Sequence, residues 1–156
     1  MAGFFKAAEI VEAAVNIEQQ GQAFYTRAAE AARNPDAKDF FLYFAKEESR
    51  HEEIFLKFKE RLGKTELPAW STSDEYSQYL SALIDSHSIF SPDLQKRLAE
   101  AGDENEAIRL AMGFEKDTIL FFMEMRELVP ESEKKFVQQC IDEERSHLRQ
   151  LSRMLT

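Results

Sequence analysis

The sequence predicts an all-α fold: a four-helix bundle with one long crossover between its second and third helices. Three observations predict it. Four segments, about 5–32, 36–62, 104–128 and 132–154, repeat apolar residues at steps of three and four, the mark of helices with one buried face. Only 5 Gly and 4 Pro occur in 156 residues, so little interrupts such helices. The breaks between them are unequal, short near 33–35 and 129–131 but long from about 63 to 102. Short links force antiparallel neighbours. A helix of about 26 residues is roughly 39 Å long, a span the long connection can traverse. The third helix is then expected to run parallel to the second.

Composition sets the class. Hydrophobic residues at 44% and charged residues at 31% are ordinary for a globular chain, and 156 residues can bury a sizeable core, so residues 1–156 are expected to form a single domain. The net charge of −9 argues against nucleic acid or an anionic membrane as partner. No stretch approaches about 18 uninterrupted apolar residues, so no membrane span is expected. Cys140 is the sole cysteine, which excludes an internal disulfide and any Cys-x-x-Cys metal site. With no secretory pattern at the N-terminus, the expected location is the cytoplasm.

In the first helix, Ile10, Ala14, Ile17, Gly21, Phe24 and Ala28 make the apolar stripe, and Glu18 lies within it. A lone Glu there would read as an edge residue. Gly21, one turn later, costs about 1 kcal/mol relative to Ala in a helix interior, which suggests a close approach beside the carboxylate.

Asn34-Pro35-Asp36 ends that helix and starts the next, with Asn34 as cap and Pro in the first turn. The second helix ends at Gly63. Its inward face reads Phe41, Phe44, Ala45, Glu48, His51, Phe55 and Phe58. A Glu and a His three apart share one helix face, and inside a Phe-rich stripe their burial is costly unless they are paired or metal-bound. Glu47, Glu52 and Glu53 read as solvated surface. His51 alone would read as a satisfied core histidine.

The crossover carries its own short helices. Tyr76, Tyr79, Leu80, Leu83 and Ile84 fit one face of a helix capped by Ser73, and Ser91-Pro92 opens a second piece ending near Gly102. Trp70 is expected to pack on the bundle or on a neighbouring subunit. His87 has no carboxylate at helical spacing and reads as surface or satisfied core. Asp103-Glu104-Asn105-Glu106 then resembles a capping box. The third helix places Ile108, Ala111, Met112, Glu115, Thr118, Ile119 and Phe122 inward, and Val129-Pro130 stops it. The fourth places Phe136, Val137, Cys140, Ile141, Glu144, His147, Leu148 and Leu151 inward, with Cys140 a small buried hydrophobe.

The two halves repeat. Glu47-Glu48-Ser49-Arg50-His51 returns as Glu143-Glu144-Arg145-Ser146-His147, Glu18 precedes Glu48 by 30 residues, and Glu115 precedes Glu144 by 29. Each hairpin turn is about equidistant from its two carboxylates, so both pairs are expected at one level, mid-bundle. Amphipathic packing does not require this coincidence. Glu18, Glu48, His51, Glu115, Glu144 and His147 then face one another. One Glu from each of two helices and a Glu-x-x-His from each of the other two is the dimetal carboxylate arrangement of ferritin-like bundles. Four carboxylates offset the four positive charges of two divalent ions, and imidazole favours Fe over Mg or Ca. Glu48 and Glu144 are the expected bridges, with Glu18 and Glu115 the ligands unpaired with a His. Tyr25, seven positions after Glu18, is either a hydrogen-bond donor to one of these carboxylates or an ordinary interfacial tyrosine.

The chain resembles the rubrerythrin-like branch of the ferritin-like di-iron superfamily over nearly its whole length. The resemblance rests on Glu18 with Gly21 and Phe24-Tyr25, on Ala45-Lys46-Glu47-Glu48 with His51, on Gly113-Phe114-Glu115-Lys116-Asp117, and on Asp142-Glu143-Glu144 with His147. It implies two Fe ions, with Mn or a mixed pair as alternatives, and an oxidoreductase that reduces hydrogen peroxide or dioxygen. Two departures matter. Full-length rubrerythrins append a Cys-rich rubredoxin-type domain, which this chain lacks, so electrons are expected from an external donor. They also carry an extra carboxylate one turn after the third-helix Glu, where this chain has Thr118. The six-ligand set is closer to ferroxidase-type sites, so iron oxidation with storage or delivery is the first alternative. A non-catalytic helical bundle acting through partners is the second. A homodimer or higher homo-oligomer is expected.

Overall fold

In a computed structural model, residues 7–62 and 74–155 are described. Six α-helices follow in order: α1 Ala7–Ala31, α2 Pro35–Leu62, α3 Asp74–Asp85, α4 Pro92–Ala99, α5 Glu104–Leu128 and α6 Glu131–Met154, with a short 3₁₀ turn Ser88–Phe90 before α4. No strand occurs among the described residues. The architecture is the all-α bundle the sequence predicts, and the four long helices begin and end within a residue or two of the expected positions. The proposed Ser73 cap and Trp70 lie outside the described residues, as does the side chain of Tyr76.

Local chemistry sets the boundaries. The Asn34 side chain accepts from the Asp36 N–H at 2.9 Å and its carbonyl accepts from Lys38 at 3.0 Å, which starts α2 around Pro35. Asp103 caps α5 by accepting from the Glu106 N–H at 3.0 Å. Ser91 caps α4, with Pro92 at its first position. Val129 closes α5 through its N–H to the Met125 carbonyl, and Pro130 leads straight into α6.

α1 packs along α2 and α5 along α6, and the two hairpins meet through α1–α5 and α2–α6. Glu104, at the start of α5, accepts from the Arg33 and Asn34 N–H groups just before α2. Arg61, at the far end of α2, pairs with Glu133 at the start of α6. Thus α2 and α5 run parallel, as the crossover length implies. Aromatic layers fill the bundle on both sides of its middle. Phe24, Tyr25, Phe41, Phe44 and Phe114 cluster toward the α1–α2 turn, and Phe55 meets Phe122 toward the opposite end. All are fully or nearly fully buried. Phe136 departs from expectation: it is 40% exposed, its ring flanked by the cations of Arg61 and Lys135. A ring at that edge of α6 keeps its face for a guanidinium rather than the core.

The crossover lies on α1 and α5. Leu80, Ile89, Leu94 and Leu98 are buried beneath it. His87 is a satisfied core histidine. Its Nδ1 accepts from the Ile89 N–H at 3.1 Å, so Nε2 carries the proton and donates to Thr118 Oγ1 at 2.9 Å. Burial holds its pKa down at about 4, so the ring is neutral. Ser88 N–H donates to the Asp117 carboxylate at 3.0 Å. Among the described residues no helix is long and apolar enough to cross a membrane.

Candidate metal centre

The helical register brings all six candidate side chains to one place. Glu18 comes from α1, Glu48 and His51 from α2, Glu115 from α5, and Glu144 and His147 from α6, and none is more than 2% exposed. The two imidazoles stack with ring centres 6.1 Å apart at 20°. His51 Nδ1 lies 2.7 Å from Glu144 Oε1 and 3.6 Å from Glu18 Oε1. His147 Nδ1 lies 3.0 Å from Glu144 Oε2, 3.7 Å from Glu48 Oε1 and 3.8 Å from Glu115 Oε1. Both rings therefore turn Nδ1 inward.

Two overlapping groups of potential ligand atoms result. One is Glu18, Glu48, His51 and Glu144; the other is Glu48, Glu115, Glu144 and His147. Glu48 and Glu144 belong to both, the place that bridging carboxylates would take. Within these groups Glu18 Oε1 and Oε2 and Glu48 Oε1 are buried with no hydrogen-bond partner, and His51 Nδ1 and Glu144 Oε1 face each other at 2.7 Å. Buried polar atoms are nearly always satisfied. Three orphaned carboxylate oxygens beside that pair therefore fit a cation, and oxygen with imidazole donors fits a divalent transition metal.

Electrostatics agrees. Burial raises the pKa of Glu18, Glu48 and Glu115, and for Glu48 and Glu115 the neighbouring Glu144 charge raises it further. Burial opposes ionisation of Glu144 too, but His51 and the bonds to both imidazoles outweigh it and hold its pKa well down. Burial also opposes a charged His51, and the carboxylates of Glu18 and Glu144 overcome that and push it up. His147 is raised to about 9, burial again being outweighed by Glu144 and Glu48. Raised carboxylates and imidazoles in one cluster mean that protons and a cation would compete for the same donor atoms.

Tyr25 settles between its two readings. Fully buried, its hydroxyl donates to Glu115 Oε1 at 2.5 Å. Burial and the Glu115 charge push its pKa well up, so it stays a donor. Thr118 is buried but its hydroxyl is committed, donating to the Phe114 carbonyl at 2.9 Å and accepting from His87. Cys140 is fully buried and its thiol is pushed up to about 12, first by burial, so it is inert.

Sequence reading missed Glu143 and misplaced Glu47. Glu143 accepts from His51 Nε2 at 2.5 Å and from Arg50, and Arg50 also binds Glu47 at 2.8 Å. Glu47 is therefore half-buried in an ion-pair network rather than solvated surface. Glu52 is also partly buried, accepting from Gln19 at 3.0 Å and from Gln22, while Glu53 is exposed as expected. The repeated Glu-Glu doublet was the available signal, since a residue beside a ligand can reach across to the facing imidazole. A cleft of about 520 Å³ lies away from the centre, lined by Asn34, Phe40, Glu104, Ile108 and Met154 at the turn end of the bundle.

Comparison with known proteins is consistent with this geometry. A family model described as Rubrerythrin matches residues 9–155. The fold is also similar to that of a solved structure from Thermotoga maritima described as a ferritin-like diiron-carboxylate protein. That chain is 27% identical, with a TM-score of 0.71 over 99% of this chain and 97% of its own. No curated protein matches the sequence.

Proposed function

The chain belongs to the rubrerythrin family, and on that premise we propose that Glu18, Glu48, His51, Glu115, Glu144 and His147 hold two iron ions for the reduction of hydrogen peroxide or dioxygen. The observation that carries this reading is the convergence of six buried side chains, three of their carboxylate oxygens unpartnered, into two ligand groups that share Glu48 and Glu144. Glu18 with His51 and Glu115 with His147 complete the two ends. When bound, such a pair supplies two electrons to a small oxidant.

The chain's own residues do the rest. Four carboxylates neutralise two divalent ions, which makes their burial tolerable. Tyr25 holds Glu115 in one orientation and offers a proton at its hydroxyl beside the centre. The aromatic layers of Phe24, Phe44 and Phe114 on one side and Phe55 and Phe122 on the other exclude bulk water. Electrons come from a separate donor.

One observation favours a second reading, iron oxidation for storage or delivery. The position one turn after Glu115 is Thr118, whose hydroxyl is tied to His87 and Phe114, so no seventh carboxylate is available there. The test is metal analysis of anaerobically purified protein, followed by mixing the Fe(II) form with H2O2 or O2 in separate runs. Two ions per chain and rapid oxidation are expected. Inertness toward both oxidants would overturn the oxidoreductase reading, and uptake far beyond two irons per chain would favour the second.

A further inference from the structure

We infer that the two metal positions are unequal: the His51 position fills first and holds its ion, and the His147 position is the exchangeable one, with Glu143 and Arg50 setting the order. This rests on the dimetal reading above.

The inequality begins in the sequence repeat. The two copies read Glu-Glu-Ser-Arg-His and Glu-Glu-Arg-Ser-His, identical except that Ser and Arg exchange places. In α2 the arginine is Arg50, directly before His51. It binds Glu47 on its own helix and reaches across to Glu143 on α6. In α6 the arginine is Arg145, which turns outward to Asp142 at 3.4 Å, and its exchanged partner Ser146 accepts from Gln150. A repeat that should make two equivalent cross-bundle bonds therefore makes one. Glu143 accepts from His51 Nε2 at 2.5 Å. Glu47 is held by Arg50 instead, and no hydrogen bond from His147 Nε2 occurs among the described residues. The rings of Phe44 and Tyr43 pack against that imidazole at 5.0 and 6.3 Å.

A carboxylate behind an imidazole fixes its tautomer, fixes its orientation and strengthens its donation to a metal; losing such a partner typically weakens metal affinity about 10- to 100-fold. His51 has that support and His147 does not. The orphaned atoms point the same way. Glu18 Oε1 and Oε2 belong to the His51 group alone, and Glu48 Oε1 is shared by both groups. In the other group Glu115, the counterpart of Glu18, already accepts from Tyr25. A cation at the His51 position thus satisfies more unpaired donors than one at the His147 position.

The test is anaerobic titration of the full chain with Co(II), read by its visible ligand-field bands, alongside His51→Ala, His147→Ala, Glu143→Ala and Glu143→Gln. The wild-type chain is expected to bind two Co(II) in two resolved steps. His51→Ala should remove the tight step, and His147→Ala the weak one. Glu143→Ala should weaken the tight step about 10- to 100-fold and leave the weak step within about twofold. Glu143→Gln, which keeps an acceptor for Nε2–H without the charge, should fall between, and it serves should the alanine variant misfold. Two ions bound with equal affinity, or a tight step lost in His147→Ala, would overturn this ordering while leaving the dimetal reading intact. Failure to bind a second ion at any concentration would instead overturn the dimetal reading itself.

Discussion

Gly21 on α1 meets the carboxylate of Glu48 on α2 so closely that a Cβ at that position would lie 3.1 Å from Oε2 and 3.3 Å from Cδ. The glycine leaves room for a candidate bridging ligand rather than for a turn. Gly21→Ala should gain up to about 1 kcal/mol of helix propensity, which raises the melting temperature of the metal-free protein by roughly 2–4 °C. The same methyl pushes Glu48 aside by a few tenths of an ångström, so metal affinity should fall. Thermal melts with and without metal check both directions, and a variant that gains stability in both states would contradict the role assigned to Gly21.

Replacing Glu48 by Gln removes one of four converging carboxylates while keeping its shape. Burial and the Glu144 and Glu18 charges all raise its pKa, so the metal-free chain should melt higher. Uptake of a pair of ions should fail, read as metal content per chain after desalting.

Tyr25→Phe deletes the donor to Glu115 and leaves a buried carboxylate oxygen without its partner. The expected cost is about 1–3 kcal/mol. It should be larger in the metal-free protein than in the loaded one, where a cation compensates Glu115. Paired denaturant titrations would show it.

Protons and metal compete for the same donors. His147 is raised to about 9 from 6.5 in the metal-free chain. Its contribution to stability is complete below about pH 6.5 and is lost as pH rises through about 9, because the folded state then gives up a proton it holds more tightly than the unfolded state. The raised Glu18, Glu48 and Glu115 act in the same direction. Metal-free melting temperature should therefore fall from pH 6.5 to 9, while Co(II) affinity rises over the same interval. A flat affinity profile would contradict displacement of protons by metal.

Thr118→Val removes the hydroxyl that accepts from His87 Nε2–H at 2.9 Å. A buried donor is orphaned, at about 1–3 kcal/mol, yet metal stoichiometry should be unchanged because Thr118 belongs to neither ligand group. Loss of metal in this variant would place Thr118 in the centre after all.

The fold was legible because its signals are local. Periodicity located the long helices, Asn34-Pro35 and Val129-Pro130 marked the turns, and equal spacing about those turns fixed the level at which Glu18, Glu48, Glu115 and Glu144 meet. What was not legible depends on rotamers across helices. The linear pattern shows that Ser and Arg exchange places between the two repeats, but not that Arg50 folds toward Glu143 while Arg145 turns to Asp142. Phe136 failed for a related reason: the apolar stripe of α6 is wider than the face it buries, and cations from Arg61 and Lys135 made its edge hospitable. His87 had two readings open because its distant partner, Thr118, comes within reach only when the crossover is laid on α5.

The crossover covers one flank of the bundle, lying on α1 and α5 with His87 and Ser88 fastened to Thr118 and Asp117. On the α2–α6 flank the Glu143 side chain is 26% exposed at one end and bonded to His51 at the other. A single carboxylate thus separates bulk water from a candidate ligand. Under the proposed function, an external donor would find the shorter route at the flank around Tyr43, Arg50 and Glu143, with the roofed flank as insulation.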